Sequence, residues 1–138
     1  LAMDLLPHER STCFWHRIAY LFTRLDRLVQ ETDSASDDEL GAAYLALHTV
    51  RSRSYATQQR LASGAPLGPE TSVDKVLLAT AEQQLFDTAR DLLPGVIELS
   101  DGEWRTEFLY SRAATIYGGT AEIQRNIIAR RLLGLGTE

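Results

Sequence analysis

The sequence predicts an all-α protein, an antiparallel helical bundle, on three observations. Apolar residues recur at three- and four-residue steps along most of the chain, the period of a helix with one buried face. Proline and glycine clusters cut that pattern at 64–69, at 94–95 and at 118–119. There is no internal repeat and no heptad run long enough for a coiled coil, so the helices pack on one another through short connections.

Phe14, Ile18, Leu21, Leu25 and Leu28 trace one apolar stripe and place a first helix from about Pro7 to Gln30. The run Glu31-Thr-Asp-Ser-Ala-Ser-Asp-Asp38 is polar and aperiodic, so residues 31–38 are expected to be disordered or mobile. Ser36 and Glu39 within and after it offer a capping box for a second helix, whose face is Leu40, Ala43, Tyr44, Leu47, Val50 and Leu61, up to about Ser63. Pro69 suits the first position of a third helix. Its apolar face is Val73, Val76, Leu77, Leu85, Phe86, Ala89 and Leu92, and it runs to about Leu93, where Pro94 and Gly95 end it.

Residues 95–102 read as loop, with Val96–Leu99 as an alternative short extended piece. A fourth helix from Glu103 to about Ile116 holds Trp104, Phe108 and Leu109 and leads into two adjacent glycines, Gly118 and Gly119. Thr120 is then an N-cap and Glu122 complements the helix dipole. Ile123, Ile127 and Ile128 give the terminal helix its apolar side, Arg125, Arg130 and Arg131 its cations, and Gly134 and Gly136 its stop. The glycine turn with the helix start behind it can receive an anionic or carbonyl group on open N–H groups.

The 138 residues, 44% hydrophobic and 24% charged, suffice for one core and give no sign of two, so residues 1–138 read as a single helical domain. A net charge of −5 supplies no basic patch for nucleic acid and no polybasic signal for a membrane. No apolar run has the length of a membrane span. The lone Cys13 forms no disulfide within the chain and points to a reduced, cytoplasmic setting. Metal chemistry is not expected: one cysteine makes no zinc spacing, and His8, His16 and His48 lack the glutamate three residues before them that a di-iron bundle needs. Phosphate-cradling glycine loops are absent as well.

Two segments carry a more specific resemblance. Tyr117-Gly-Gly-Thr-Ala-Glu-Ile-Gln-Arg125 followed by Ile128-Ala-Arg-Arg-Leu-Leu-Gly134 is similar to the C-terminal signature of the acyl-CoA dehydrogenases, flavoenzymes that desaturate acyl-CoA thioesters. Leu6-Pro-His-Glu-Arg10 resembles the segment that opens the family's C-terminal helical domain. The resemblance implies that the chain is that domain of a longer protein, with FAD as cofactor and an acyl-CoA as substrate. It also implies an electron-transfer protein as partner, a homo- or hetero-oligomer, and a place in fatty acid metabolism.

Many members carry the catalytic glutamate at the variable position of the Tyr-x-Gly-Thr turn, which is Gly118 here. Another branch has a small residue there and places the glutamate before the arginine that opens the helical domain, so the resemblance assigns the base to Glu9 and its support to Arg10. By itself Glu9 also reads as a carboxylate complementing a first helical turn. The resemblance further assigns Tyr117, Gly118 and Gly119 to the thioester end of the site, and Thr120, Ala121 and Glu122 to flavin contact.

The chain departs from the family at two flavin-binding segments. Residues 31–38 replace Arg-x-x-Phe-Gly, and Leu92-Leu-Pro-Gly-Val-Ile97 replaces Gln-x-x-Gly-Gly, with Arg51 or Arg53 as the nearest substitutes for the missing cation. Such losses, together with Gly68-Pro-Glu70 and Lys75, resemble actinobacterial-type dehydrogenases built from two unlike subunits. A non-catalytic helical module that only assembles with partner chains is the alternative. Phe14, Trp15, Tyr20 and Phe22 follow Glu9 and are expected to pack in the core or an interface, with a pocket wall as the other reading.

Overall fold

The computed structural model describes residues 14–32 and 37–136, and among them every regular element is helical. Helix α1 spans Trp15–Glu31 and buries Ile18, Leu21, Leu25 and Leu28, the stripe read from the sequence. Its expected beginning near Pro7 lies outside the described residues. Its C-terminus is closed by Thr32, which turns extended and donates its hydroxyl to the Leu28 carbonyl at 2.8 Å.

Helix α2 spans Asp37–Ala62. Leu40, Ala43, Leu47, Val50, Ser54 and Thr57 are its buried residues, an unbroken three-four alternation that ends on two hydroxyls. Leu61, expected on that face, continues the alternation by one more step, and Tyr44, also expected there, does not lie on it. Tyr44 is 48% exposed and meets the edge of Phe22 from α1, with ring centroids 6.4 Å apart, while Leu61 is half-buried. The expected mobility of 31–38 fails at both ends, since Glu31 closes α1 and Asp37 and Asp38 open α2. Ser36, the expected cap, lies outside the described residues.

Helix α3, Glu70–Leu92, is the centre of the bundle and packs against every other helix. Pro69 sits at its N-cap, one position before the first helical residue expected of it. Helix α4 spans Glu103–Arg112 and tightens into a 3-10 turn at Ala113–Thr115 rather than continuing as α-helix to Ile116. Between α3 and α4 the chain makes turns. Leu99 N–H bonds the Gly95 carbonyl at 2.9 Å, so the extended alternative for Val96–Leu99 is not what forms, and only Ile97 of that stretch is buried. Helix α5, Ala121–Ile127, runs on into a single π-helical turn at Ile128–Leu132, and Gly134 and Gly136 end it with φ of +66° and +75°.

Side-chain pairs fix the helix directions. Arg53 and Thr57 reach Asp74 while Arg60 reaches Glu70, so α2 and α3 are antiparallel. Arg17 reaches Glu107 while Arg27 reaches Glu103, so α1 and α4 are antiparallel too. The core joins Leu21, Leu28, Leu47, Leu78, Leu85, Phe86 and Trp104, and the Trp104 indole N–H donates to Glu31 at 2.8 Å, tying the end of α1 to the start of α4. Phe108 packs against that core, whereas Leu109 is exposed.

Candidate functional site

The site is the turn from Tyr117 to Thr120, held between α3 and α5. As the chain leaves the 3-10 turn, the Ala113 carbonyl accepts from the N–H groups of Ile116 and Tyr117 at 2.9 and 3.1 Å. Gly118 and Gly119 then adopt φ of +67° and +98°, left-handed values that side chains rarely allow. Thr120 leaves the turn extended, and its hydroxyl oxygen accepts from Ile123 N–H at 3.4 Å as the N-cap of α5. Glu122 is exposed, and its own backbone N–H and the Thr120 hydroxyl hold its carboxyl below the usual carboxylate range.

Two buried polar side chains support this turn from the core. Lys75 of α3 is 2% exposed, and its ammonium donates to the Ala114 carbonyl and lies 4.3 Å from the centre of the Tyr117 ring. Its methylenes run beneath Gly118, where an added Cβ would come within 3.2 Å of Lys75 Cε. Gln124 of α5 is fully buried and donates from Nε2 to the Gly118 carbonyl at 3.1 Å.

A charged network lies next to them. Arg17 of α1 is sandwiched between the rings of Tyr20 and Tyr110, at 4.9 and 4.8 Å, and binds Glu82 of α3 at 2.7 Å and Glu107 of α4 at 2.9 Å. Burial works against its charge, but the two carboxylates outweigh it and hold the guanidinium above its ordinary range. Tyr110 in turn stacks at a tilt on Tyr117, with centroids 6.2 Å apart. Burial, then the Glu82 and Tyr110 charges, push the Tyr117 phenol up to about 12, with Arg17 acting in the opposite direction.

Of the residues expected from the sequence, Tyr117, Gly118, Gly119, Thr120, Ala121 and Glu122 come together on this one turn and helix start. Glu9 and Arg10 lie outside the described residues. Among the aromatics, Phe14, Tyr20 and Phe22 pack against the core, and Trp15 and Phe22 with His16, Ile18, Ala19 and Arg51 line a mainly apolar cavity of about 510 Å³. Arg53, a suggested substitute cation, is committed to Asp74 at 3.1 Å, and Arg51 lies over the Phe22 ring at 5.6 Å.

Sequence reasoning gave no role to Gln124 or to the Arg17–Glu82 pair and cited Lys75 for resemblance alone. A signal existed for α3. Lys75, Leu78, Glu82, Leu85 and Ala89 follow one three-four stripe, all buried, so a lysine and a glutamate sat in register with the apolar face. Reading by apolarity chose Val73, Val76 and Leu77 instead, and these are only half-buried. Among the described residues no group of three or more His, Cys, Asp or Glu is placed to hold a metal ion, and no helix is long and apolar enough to cross a membrane.

Residues 1–133 match the family model described as acyl-CoA dehydrogenase, C-terminal domain. The chain is also similar to two curated proteins called acyl-CoA dehydrogenase IpdE1. It is 37% identical over 150 aligned positions to that of Mycobacterium tuberculosis and 35% identical over 150 to that of Mycolicibacterium smegmatis. Each alignment takes in all of this chain but only 38% and 37% of the respective relatives, so the chain spans less than two-fifths of their length.

Proposed function

The chain belongs to the acyl-CoA dehydrogenase family, and on that premise we propose that it is the C-terminal helical domain of a longer flavoenzyme that desaturates an acyl-CoA thioester, with Glu9 as the base. The observation that carries the assignment of the base is the state of Gly118. Position 118 carries no side chain, its φ is a left-handed +67°, and an added Cβ would press on Lys75 Cε at 3.2 Å, so the carboxylate the reaction needs comes from elsewhere. Glu9, directly before Arg10, is the carboxylate that the family pattern offers.

Glu9 takes the proton from the substrate α-carbon, in a site dry enough to keep it basic, and Arg10 orients it. Tyr117, Gly118 and Gly119 line the thioester end, where hydrogen-bond donors polarise the carbonyl and so acidify that proton. FAD, when bound, supplies the acceptor for the hydride from the β-carbon. Such a group fits along one edge of the turn, where the Gly119 N–H meets no acceptor among the described residues. Thr120 and Ala121 follow on that edge. Glu122 contributes through its backbone, because its carboxyl is engaged at the helix start.

Assembly into an oligomer, of like or unlike chains, is part of the same proposal. Ile116, Ile123, Leu132, Leu133 and Leu135 expose between 42% and 64% of their surface on and around α5, apolar surface of the kind that a partner chain covers. Transfer of electrons to a partner protein, a cytoplasmic location and a role in fatty acid metabolism complete the reading. The test is Glu9→Gln in the full-length enzyme. With any acyl-CoA that reduces the wild-type flavin, reduction slows by about 10²–10⁴-fold while flavin stays bound. An unchanged rate would sink the assignment of Glu9, and a wild-type flavin that no acyl-CoA reduces would sink the activity itself.

A further inference from the structure

Lys75 stands in α3 with 2% of its surface exposed, a depth at which lysine is rare. Its ammonium donates to the Ala114 carbonyl and lies 4.3 Å from the centre of the Tyr117 ring and 5.9 Å from that of Phe14. Tyr117 opens the glycine turn and Phe14 is the N-cap of α1. One buried cation therefore faces both the thioester end of the proposed site and the helix before which Glu9 stands in sequence. Its stem passes under Gly118, with Cε 3.2 Å from the point a Cβ would occupy, the point from which many members of the family direct their glutamate. A carboxylate acting on the same substrate carbon from another segment works in the same neighbourhood. The charged and titratable groups of the elements packed on α3 are engaged with one another. Glu82 of α3 and Glu107 of α4 hold Arg17 of α1, Asp74 of α3 takes Arg53 and Thr57 of α2, and Glu122 of α5 is held at its own helix start. Tyr110 flanks Arg17, and Tyr117, pushed up to about 12, stays neutral where a carboxyl titrates.

A carboxylate in a dry site is under opposing demands. Exclusion of water disfavours its ionised form, and a protonated carboxyl cannot take a proton from carbon. A positive charge nearby, in an interior that screens poorly, restores the ionised form. We propose that Lys75 is a positioning residue of this kind, the buried counter-charge that keeps the base of the acyl-CoA site ionised once water is excluded. This deepens the reading given above and rests on it, with Glu9 as that base. Lys75 itself touches no reacting atom and acts through the carboxylate.

The test uses the full-length flavoenzyme and the acyl-CoA that reduces the wild-type flavin fastest in a panel of graded chain length. Flavin reduction, counted per bound flavin, is followed by stopped flow as a function of pH. Lys75→Met keeps the length of the stem without its charge, and the acid limb of its profile moves to higher pH by about one to two pH units. At the foot of the limb it is then about 10–100-fold slower than wild type, while on the alkaline plateau the two agree within about threefold. A merely structural part for Lys75 would lower the rate at every pH. Lys75→Gln retains a donor for the Ala114 carbonyl and shows the same displacement, because the charge and not the hydrogen bond is responsible. Lys75→Arg retains the charge and leaves the limb in place, even where its bulk lowers the plateau. A limb unmoved in both neutral variants, a deficit equal at all pH values, an equal displacement in Lys75→Arg, or complete loss of flavin from both neutral variants overturns the proposal. Glu9→Gln abolishes reduction at every pH. If it instead reduces flavin at the wild-type rate while Lys75→Met still displaces the limb, the base is another carboxylate and the part of Lys75 stands.

Discussion

Arg17→Met removes the guanidinium that pairs with the buried Glu82. Glu82 is 0% exposed and receives the Arg17 guanidinium at 2.7 and 3.3 Å, while Arg17 itself keeps 20% of its side chain in contact with solvent. Removing one partner of a buried pair costs about 3–5 kcal/mol, because the other charge is left without compensation. The cations stacked on Tyr20 and Tyr110 add about 0.5–1 kcal/mol each, offset in part by the packing of the methionine. A net loss of about 4 kcal/mol at pH 7 is expected, a large share of the ~5–15 kcal/mol that holds a domain folded. Urea denaturation followed by circular dichroism at pH 7 measures this. Arg17→Met with Glu82→Met should recover most of the loss, since apolar replacements of a buried pair are often neutral. A deficit below about 1 kcal/mol would refute the argument.

Burial and the Glu107 carboxylate push the Tyr20 phenol up to about 12, and Tyr117 is pushed up to about 12 as well. Ultraviolet titration of the five tyrosines should therefore show two ionising well after an ordinary phenol at about 10. The unfolded chain loses those protons first, so stability should decline as pH rises above about 10. Gly118→Glu in a Glu9→Gln background would restore activity if reach to the substrate carbon were all that mattered. With φ at +67° and Lys75 Cε within 3.2 Å of the new Cβ, no recovery of flavin reduction is expected, and recovery to a tenth of wild type would contradict this account. A preparation of these 138 residues alone should retain little flavin, because the turn offers one edge of a site and both departed segments offer nothing. Stoichiometric flavin absorbance after purification would overturn that expectation.

How much of this was legible depended on whether a residue's environment is decided by its own helix or by a distant one. The α1 stripe from Ile18 to Leu28 and the first four buried residues of α2 followed from periodicity, since each lies on an amphipathic helix with one covered face. The glycine turn and the Thr120 cap were legible because their chemistry is local. Helix α3 was harder. Its buried face is wide and takes in Thr71, Ser72, Asp74, Lys75 and Glu82 along with its apolar residues, so apolarity does not mark inside from outside. Which polar residues tolerate that depends on partners as far away as Arg17, 65 positions back, and Ala114, 39 positions on. Tyr44 was misplaced for the converse reason: its ring finds Phe22 on a neighbouring helix and needs no place in the core.

The position of Gly118 joins the fold to the chemistry. A glycine at the variable point of the turn reads, in sequence alone, as an absence of the catalytic carboxylate. In the bundle it is what permits Lys75 to run beneath the turn and Gln124 to take the Gly118 carbonyl, and both contacts depend on a left-handed backbone that a side chain would strain. On the reading proposed above, the turn presents backbone N–H groups and the proton-accepting carboxylate is Glu9. The start of α1 lies beside this turn, because Arg17, two positions into it, is locked to Glu82 of α3 and flanked by Tyr110, the ring that stacks on Tyr117.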